Sequence, residues 1–195
     1  MKTKFLFASL LMLVSLGLFA QEENAAVKKY GFKSAIVKLS SDVMGQKVES
    51  TAYIDEYGAK ECQKTKVNVP GMGSVETATI SKDGKTWSVN YTMNQVQEMD
   101  INPADQPNFL NLTDEMKKKF KIEEAGTEKI LDKDCVIYTM ETEAQGMTAK
   151  LKVWCYKGFT LKTETEVMGM KVVAVATDFK EDAMVLPQVF DVPKL

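Results

Sequence analysis

The chain has 195 residues, and its 27 acidic residues outnumber its 25 basic residues, all of which are lysines. It contains no histidine and no arginine. Catalysis or metal binding through histidine is therefore excluded, and so is the bidentate grip of a guanidinium group on phosphate or carboxylate. A slightly acidic chain has no long-range attraction for nucleic acid, so no nucleic-acid partner is predicted.

The first 20 residues have the layout of a secretory signal peptide. Lys2 and Lys4 precede an apolar run at 5–19, which is shorter than the roughly 20 residues of a spanning helix. This layout favours a cleaved signal over a membrane anchor, and no later run is long enough to span a bilayer. We expect a signal peptide at 1–20, an N-terminal segment at 21–33, one domain at 34–195, and a periplasmic location, with secretion beyond the periplasm left open.

Strand-sized segments follow, rich in Val, Ile, Thr and aromatic residues and separated by turn signals. An acidic residue three positions before glycine recurs, as at Asp55 to Gly58, and suits a tight hairpin turn. Asp83 and Gly84 form a two-residue hairpin signal. Short turns between successive strands dictate antiparallel neighbours, so the sequence predicts a meander. The first set of strands is predicted at 34–42, 46–55, 59–69, 74–82 and 85–92.

The stretch at 102–120 has a different pattern. Phe109, Leu112, Met116 and Phe120 recur at helical spacing, and Thr113 is a candidate N-cap. One interpretation is a short helical lid that packs its apolar stripe on the sheet. The other is a helix that lines a ligand cavity, and the sequence leaves both open.

A second set of strands is predicted at 127–131, 134–143, 147–155, 159–166 and 170–180. Three-residue loops at 144–146, 156–158 and 167–169 would fix their register. That register predicts a buried face on which one row of apolar residues runs across four strands: Ile137, Val153, Leu161 and Val175.

The same register places Cys135 directly opposite Cys155. Export to an oxidising compartment permits a disulfide, so we predict that these two residues are bonded. Two buried free thiols are the alternative.

Four acidic residues lie along the later strands: Glu141, Glu143, Glu164 and Glu166. Paired carboxylates can hydrolyse glycosides, but neighbouring lysines make a solvated charged face the simpler interpretation. We therefore predict no enzyme activity, no cofactor and no metal site.

The end of the chain has a family likeness, carried by residues 158–169, 176–179 and 187–193. In these residues the chain is similar to periplasmic lipoprotein-carrier-like proteins. The resemblance implies a mainly β fold, a strongly curved antiparallel meander sheet forming an open half-barrel with a short helical lid. Lipoprotein carriers of this superfamily use a cavity arginine to control ligand release, and this chain has none.

These observations lead to two hypotheses about function. The first is a periplasmic protein that holds a lipid, an acyl chain or a lipoprotein in a groove between the sheet and the helix. The second is a non-enzymatic envelope interaction or scaffold protein with a filled core. The ligand-binding residues expected under the first hypothesis are Phe109, Leu112, Met116, Phe120, Ile137, Val153, Leu161 and Val175.

Overall fold

A computed structural model describes residues 28–43, 46–69, 71, 73–101, 106–144, 147–167 and 170–194. The expected signal peptide and its cleavage site lie outside these residues. In the described part of the chain, no helix is both long enough and apolar enough to cross a bilayer.

The fold is one antiparallel sheet of eleven strands, as the turn pattern predicts. The sheet order is β6-β5-β4-β3-β2-β1-β11-β10-β9-β8-β7, so the sheet is open and β6 and β7 form its two edges. Among the described residues, one short α-helix, α1, lies between β6 and β7. The elements are β1 (Ala35–Val43), β2 (Gln46–Asp55), β3 (Lys60–Val69), β4 (Gly73–Lys82), β5 (Lys85–Asn90), β6 (Gln95–Met99), α1 (Asp114–Lys119), β7 (Glu123–Ile130), β8 (Lys133–Ala144), β9 (Met147–Tyr156), β10 (Phe159–Val167) and β11 (Met170–Glu181).

Local turn and cap chemistry explains where several elements begin and end. Asp83 and Gly84 both have positive φ, 52° and 72°, as a two-residue turn between β4 and β5 requires. Thr113 caps α1, since its hydroxyl oxygen accepts from the Met116 N–H at 3.2 Å. The mainly β fold with a short helical lid is thus confirmed, although α1 has only six residues.

The predicted register of the later strands is wrong by one residue. Ile137 lies opposite Trp154 instead of Val153, because β8 and β9 pair through to Ala144 and Met147 and leave two residues in the loop. The β10–β11 hairpin is shortened in the same way, and the β9–β10 register shifts beside Leu161. A slip of one residue moves a side chain to the other face of a sheet, so the predicted apolar row does not form.

Because of this register, β8 and β9 bury side chains on both faces. Ile137 and Trp154 enter a cluster with residues of β1, β2, β10 and β11, which we call the core cluster. We call residues 109–122, the segment that contains α1, the lid. The alternating positions Met140, Leu151 and Val153 enter a second cluster beneath it, which we call the lid cluster. Strands covered on both faces show no clean apolar and polar alternation.

The predicted disulfide between Cys135 and Cys155 is also wrong in this structure. Val136 lies opposite Cys155, so the two thiols point to opposite faces of the sheet. Cys135 belongs to the core cluster and Cys155 to the lid cluster, and both are free. The same one-residue slip accounts for this error.

The first N-terminal residues that the structure describes, 28–33, pack into the core cluster. Tyr30 stacks on Phe32 with ring centroids 5.3 Å apart, and the Gly31 N–H donates to the Lys157 carbonyl at 2.9 Å. Lys29 Nζ lies 2.8 Å from Oε1 of Glu61 on β3, and the Glu61 side chain is 1% exposed. Burial lowers the pKa of Lys29 and raises that of Glu61, and the attraction between the two charges opposes both shifts.

Thiol accessibility tests the free cysteines. Burial raises the pKa of Cys155 to about 12 and that of Cys62 to about 11. Both therefore stay protonated and unreactive at pH 8. We expect no alkylation of the folded protein, alkylation of all three cysteines in urea, and an intact mass without loss of two hydrogens. A mass lower by two hydrogens that reductant restores would contradict the free thiols.

Removal of Glu61 tests the buried ion pair. The substitution Glu61→Ala leaves the Lys29 ammonium buried without its partner, and we expect it to lower the free energy of unfolding by about 3–5 kcal/mol. Replacing both partners, as in Lys29→Met with Glu61→Leu, should recover most of this loss. Urea unfolding followed by tryptophan fluorescence measures both effects. Glu56→Ala is the control, because Glu56 pairs with Lys60 at the surface, and equal losses in Glu56→Ala and Glu61→Ala would refute the interpretation.

Candidate functional site

The lid cluster is the apolar half of the candidate site. Phe109 stacks on Tyr138 of β8 with ring centroids 5.4 Å apart, and Leu112 packs against the same cluster. Phe120 and Ile122, which follow α1, are buried in it. The space between α1 and β8–β9 is therefore filled by side chains of the protein itself.

The eight expected ligand-binding residues do not meet in one place. Phe109, Leu112, Phe120 and Val153 lie together in the lid cluster. Ile137 and Leu161 are buried in the core cluster instead. Met116 and Val175 are half-buried and belong to neither cluster. The structure thus brings together four of the eight, three of them from the segment around α1.

A cleft of about 450 Å³ lies beside the lid cluster and crosses five strands, from β7 to β11. Its volume falls within the range of small-molecule sites, and eight of its twelve lining residues are charged. The cleft is lined by Lys121, Glu123, Thr139, Met140, Glu141, Lys150, Leu151, Lys152, Glu164, Thr165, Glu166 and Lys171.

The charges in the cleft alternate because of the strand register. One row across the sheet reads Glu123, Thr139, Lys152 and Glu164, and the adjacent row reads Glu141, Lys150, Glu166 and Lys171. Residues directly opposite each other share one face, so each row presents acids and lysines side by side. Three of these four acids, Glu141, Glu164 and Glu166, stand out in the sequence, but the cleft does not, since the rows form only in the correct register.

Two of the four acids are held by lysines. Glu164 accepts from Lys171 at 2.7 Å and from Lys162 at 3.1 Å, and Lys121 donates to Glu141. The hydrogen bond from Lys171 is the main cause that keeps the pKa of Glu164 below its usual value. The hydrogen bond from Lys121 does the same for the pKa of Glu141. Paired-carboxylate hydrolysis needs an acid with a raised pKa, so neither residue is suited to protonate a leaving group.

The other charged groups of the cleft remain available. Lys150, Lys152, Glu123 and Glu166 form no ion pair with any residue that the structure describes. Lys152 instead lies over the ring of Trp154, with its Nζ 4.9 Å from the centroid. The cleft therefore offers two lysines and two carboxylates to a ligand.

The cleft and the lid cluster share part of their walls. Met140 and Leu151 line the cleft and are also buried members of the lid cluster. The end of the lid is tied to the same place, where the Glu141 N–H donates to the Phe120 carbonyl at 3.0 Å. The charged rows project from the face of the sheet opposite the Met140 and Leu151 side chains. The cleft and the lid cluster meet at residues 120–123, where Phe120 and Ile122 are buried in the lid cluster and Lys121 and Glu123 line the cleft.

Comparisons with known proteins support the fold. No family model matches the chain, and its similarity to curated proteins does not reach significance. An uncharacterized conserved protein from Thermus thermophilus superposes with a TM-score of 0.53 at 13% identity, covering 86% of this chain and 90% of that one. The MucA/MucB complex of Pseudomonas aeruginosa gives a TM-score of 0.50 at 12% identity, covering 82% of this chain and 56% of the matched chain.

A third similarity is to a putative outer membrane lipoprotein-sorting protein domain from Vibrio parahaemolyticus. It has 12% identity and covers 83% of this chain and 90% of that one, but its TM-score of 0.40 is too low to carry an argument about function. Identities this low speak for the fold alone. At that level the chain shares its open-sheet fold with the Thermus thermophilus protein and with the matched chain of the MucA/MucB complex.

Proposed function

We propose that this protein is an exported, non-catalytic periplasmic protein that binds an amphiphile, either a lipid or the acylated end of a lipoprotein. The acyl chain would lie between the lid and β8–β9, and the polar headgroup would reach the charged cleft around the β7 edge. The observation that carries this proposal is the alternation at residues 120–123, where Phe120 is buried in the lid cluster while Lys121 and Glu123 line the cleft. Apolar sites with a few polar groups at one end suit such ligands.

An acyl chain can enter the space between the lid and β8–β9 only if the lid moves, because the lid's own side chains Phe109 and Leu112 fill that space. The lid is lightly held. Its helix has six residues with none fully buried, and Asn108 and Asn111 reach the Lys28 carbonyl only at 3.5 and 3.4 Å. Hydrogen bonds of this length are weak, so displacement of the residues before α1 costs mainly the apolar contacts of Phe109 and Leu112, while Phe120 stays bonded to Glu141.

The filled lid cluster also favours a second candidate, an envelope interaction protein that holds no lipid. Under that hypothesis the lid never opens, and the side chains beneath it are simply core. The two candidates differ in one observable, which is the binding of an acyl chain by the purified protein.

Substitution of the lid tests the acyl site. We expect the protein to bind dansyl-labelled undecanoic acid, and Leu112→Glu to weaken binding at least about tenfold, because the carboxylate would be desolvated against the chain. Fluorescence titration measures the affinity, and circular dichroism checks the fold. Leu186→Glu is the matched control, since Leu186 is 53% exposed in the C-terminal segment. If the wild-type protein binds no probe, the interaction protein is the better description.

Charge reversal in the cleft tests the headgroup site. Lys150→Glu should weaken binding of lysophosphatidylglycerol about threefold, since an exposed ion pair contributes less than about 1 kcal/mol, and added salt should remove the difference. Lys38→Glu on β1 changes the net charge equally at an exposed lysine outside the cleft. Equal effects of the two substitutions would show that only net charge matters and would refute a headgroup site.

A further inference from the structure

The two edges of the sheet differ in how they are protected. Edge strands expose unpaired backbone groups, and bulges or charged side chains usually prevent them from pairing with another chain. β7 has both devices: its register shifts between Glu124 and Thr127, Gly126 has a φ of 107°, and four of its eight residues are charged. This edge is unsuited to receive another strand.

β6 lacks these devices. Its pairing with β5 is regular, and its one charged residue, Glu98, lies 3.1 Å from Lys85 of β5. It contains neither lysine nor proline, and four of its five residues are exposed. β6 therefore presents a regular backbone edge with little charge to repel a second strand.

An apolar row of the sheet also ends unfinished at β6. Ala78, Val89 and Val96 lie side by side on β4, β5 and β6. Phe190, in the segment 182–194 that follows β11, packs over Ala78 and Val89, which are 2% and 0% exposed. Val96 remains 37% exposed. A further strand beside β6 would continue this row and cover Val96.

We propose that the strand added at this edge is β6 of a second copy, paired antiparallel about Val96. In that register Val96 faces Val96 and Gln95 faces Gln97, while Glu98 and Met99 extend past the start of the other strand, beside its turn. No like charges meet among the paired residues, and the two Val96 side chains cover each other. The edge is thus complementary to itself, as a two-fold interface requires.

The contact is small, since only the three strand residues Gln95, Val96 and Gln97 of each copy lie opposite each other. Interfaces of this size lie below those of permanent dimers, so the association is weak and depends on concentration. It continues the sheet from one copy to the other and leaves the lid and the cleft free, because both lie toward the opposite edge. The inference is therefore independent of the proposed ligand.

Cysteine cross-linking tests the register. Directly opposed residues have Cα atoms about 4.5–5.5 Å apart, within disulfide range, whereas Gln95 and its copy would lie roughly 8 Å apart. We expect Val96→Cys to form a cross-linked dimer under mild oxidation at least about tenfold faster than Gln95→Cys. The three native cysteines are buried and do not compete. Equal rates for the two variants would overturn the proposed register.

A second measurement tests the dimer without cysteine. Light scattering with size exclusion should give a rising mass for the wild-type protein between roughly 10 and 500 μM, as a weak interface predicts. Val96→Lys should stay monomeric, and Thr127→Lys, which adds the same charge to the β7 edge, should behave like the wild-type protein. A wild-type protein that is monomeric throughout this range would refute self-pairing.

Discussion

The pairing of β1 with β11 holds this fold together. Among the described strands, all other sheet neighbours are consecutive in the chain, so this ladder alone joins the meander of β1–β6 to that of β7–β11. The core cluster depends on the same ladder, since it combines Val37 and Ile54 from one meander with Trp154 and Leu161 from the other. Without the β1–β11 ladder, each meander would be a smaller sheet with an additional exposed edge and with only part of the core cluster.

In the proposed function, the lid cluster and the cleft would bind different parts of one amphiphile. The lid cluster provides buried apolar surface but no free space, while the cleft provides space and charged side chains. Lysine offers a flexible point charge without the planar fork of arginine. A cleft that uses Lys150 and Lys152 should therefore select ligands by charge more than by the geometry of a phosphate or carboxylate.

The sequence predicted the parts of the fold that depend on local chemistry. Asp83 with Gly84 defined a hairpin, and Thr113 defined the start of α1, because turns and caps involve a few adjacent residues. The register could not be predicted with the same certainty, because an acidic residue three positions before glycine fits a loop of two or three residues. That single ambiguity produced both the false row at Ile137 and the false disulfide.

The candidate site was predictable only in part for the same reason. Phe109, Leu112 and Phe120 do join the lid cluster, but they flank α1, and Met116, the one residue of the four inside the helix, does not join it. The cleft depends on residues that come together across five strands, so an error of one residue in any hairpin hides it. The Lys29–Glu61 pair was missed as well, because charged residues in sequence indicate exposure.

The position of residues 28–33 constrains when the protein can fold. Tyr30 and Phe32 pack against Phe159 and Phe179, more than a hundred residues later in the chain, and Gly31 bonds to Lys157. Domains often begin to fold from the N-terminus during synthesis, but here residues 28–33 complete their packing only against β11, the last of the described strands. A nascent chain therefore keeps these aromatic residues uncovered until β11 has emerged, and it stays accessible to chaperones for nearly its whole synthesis.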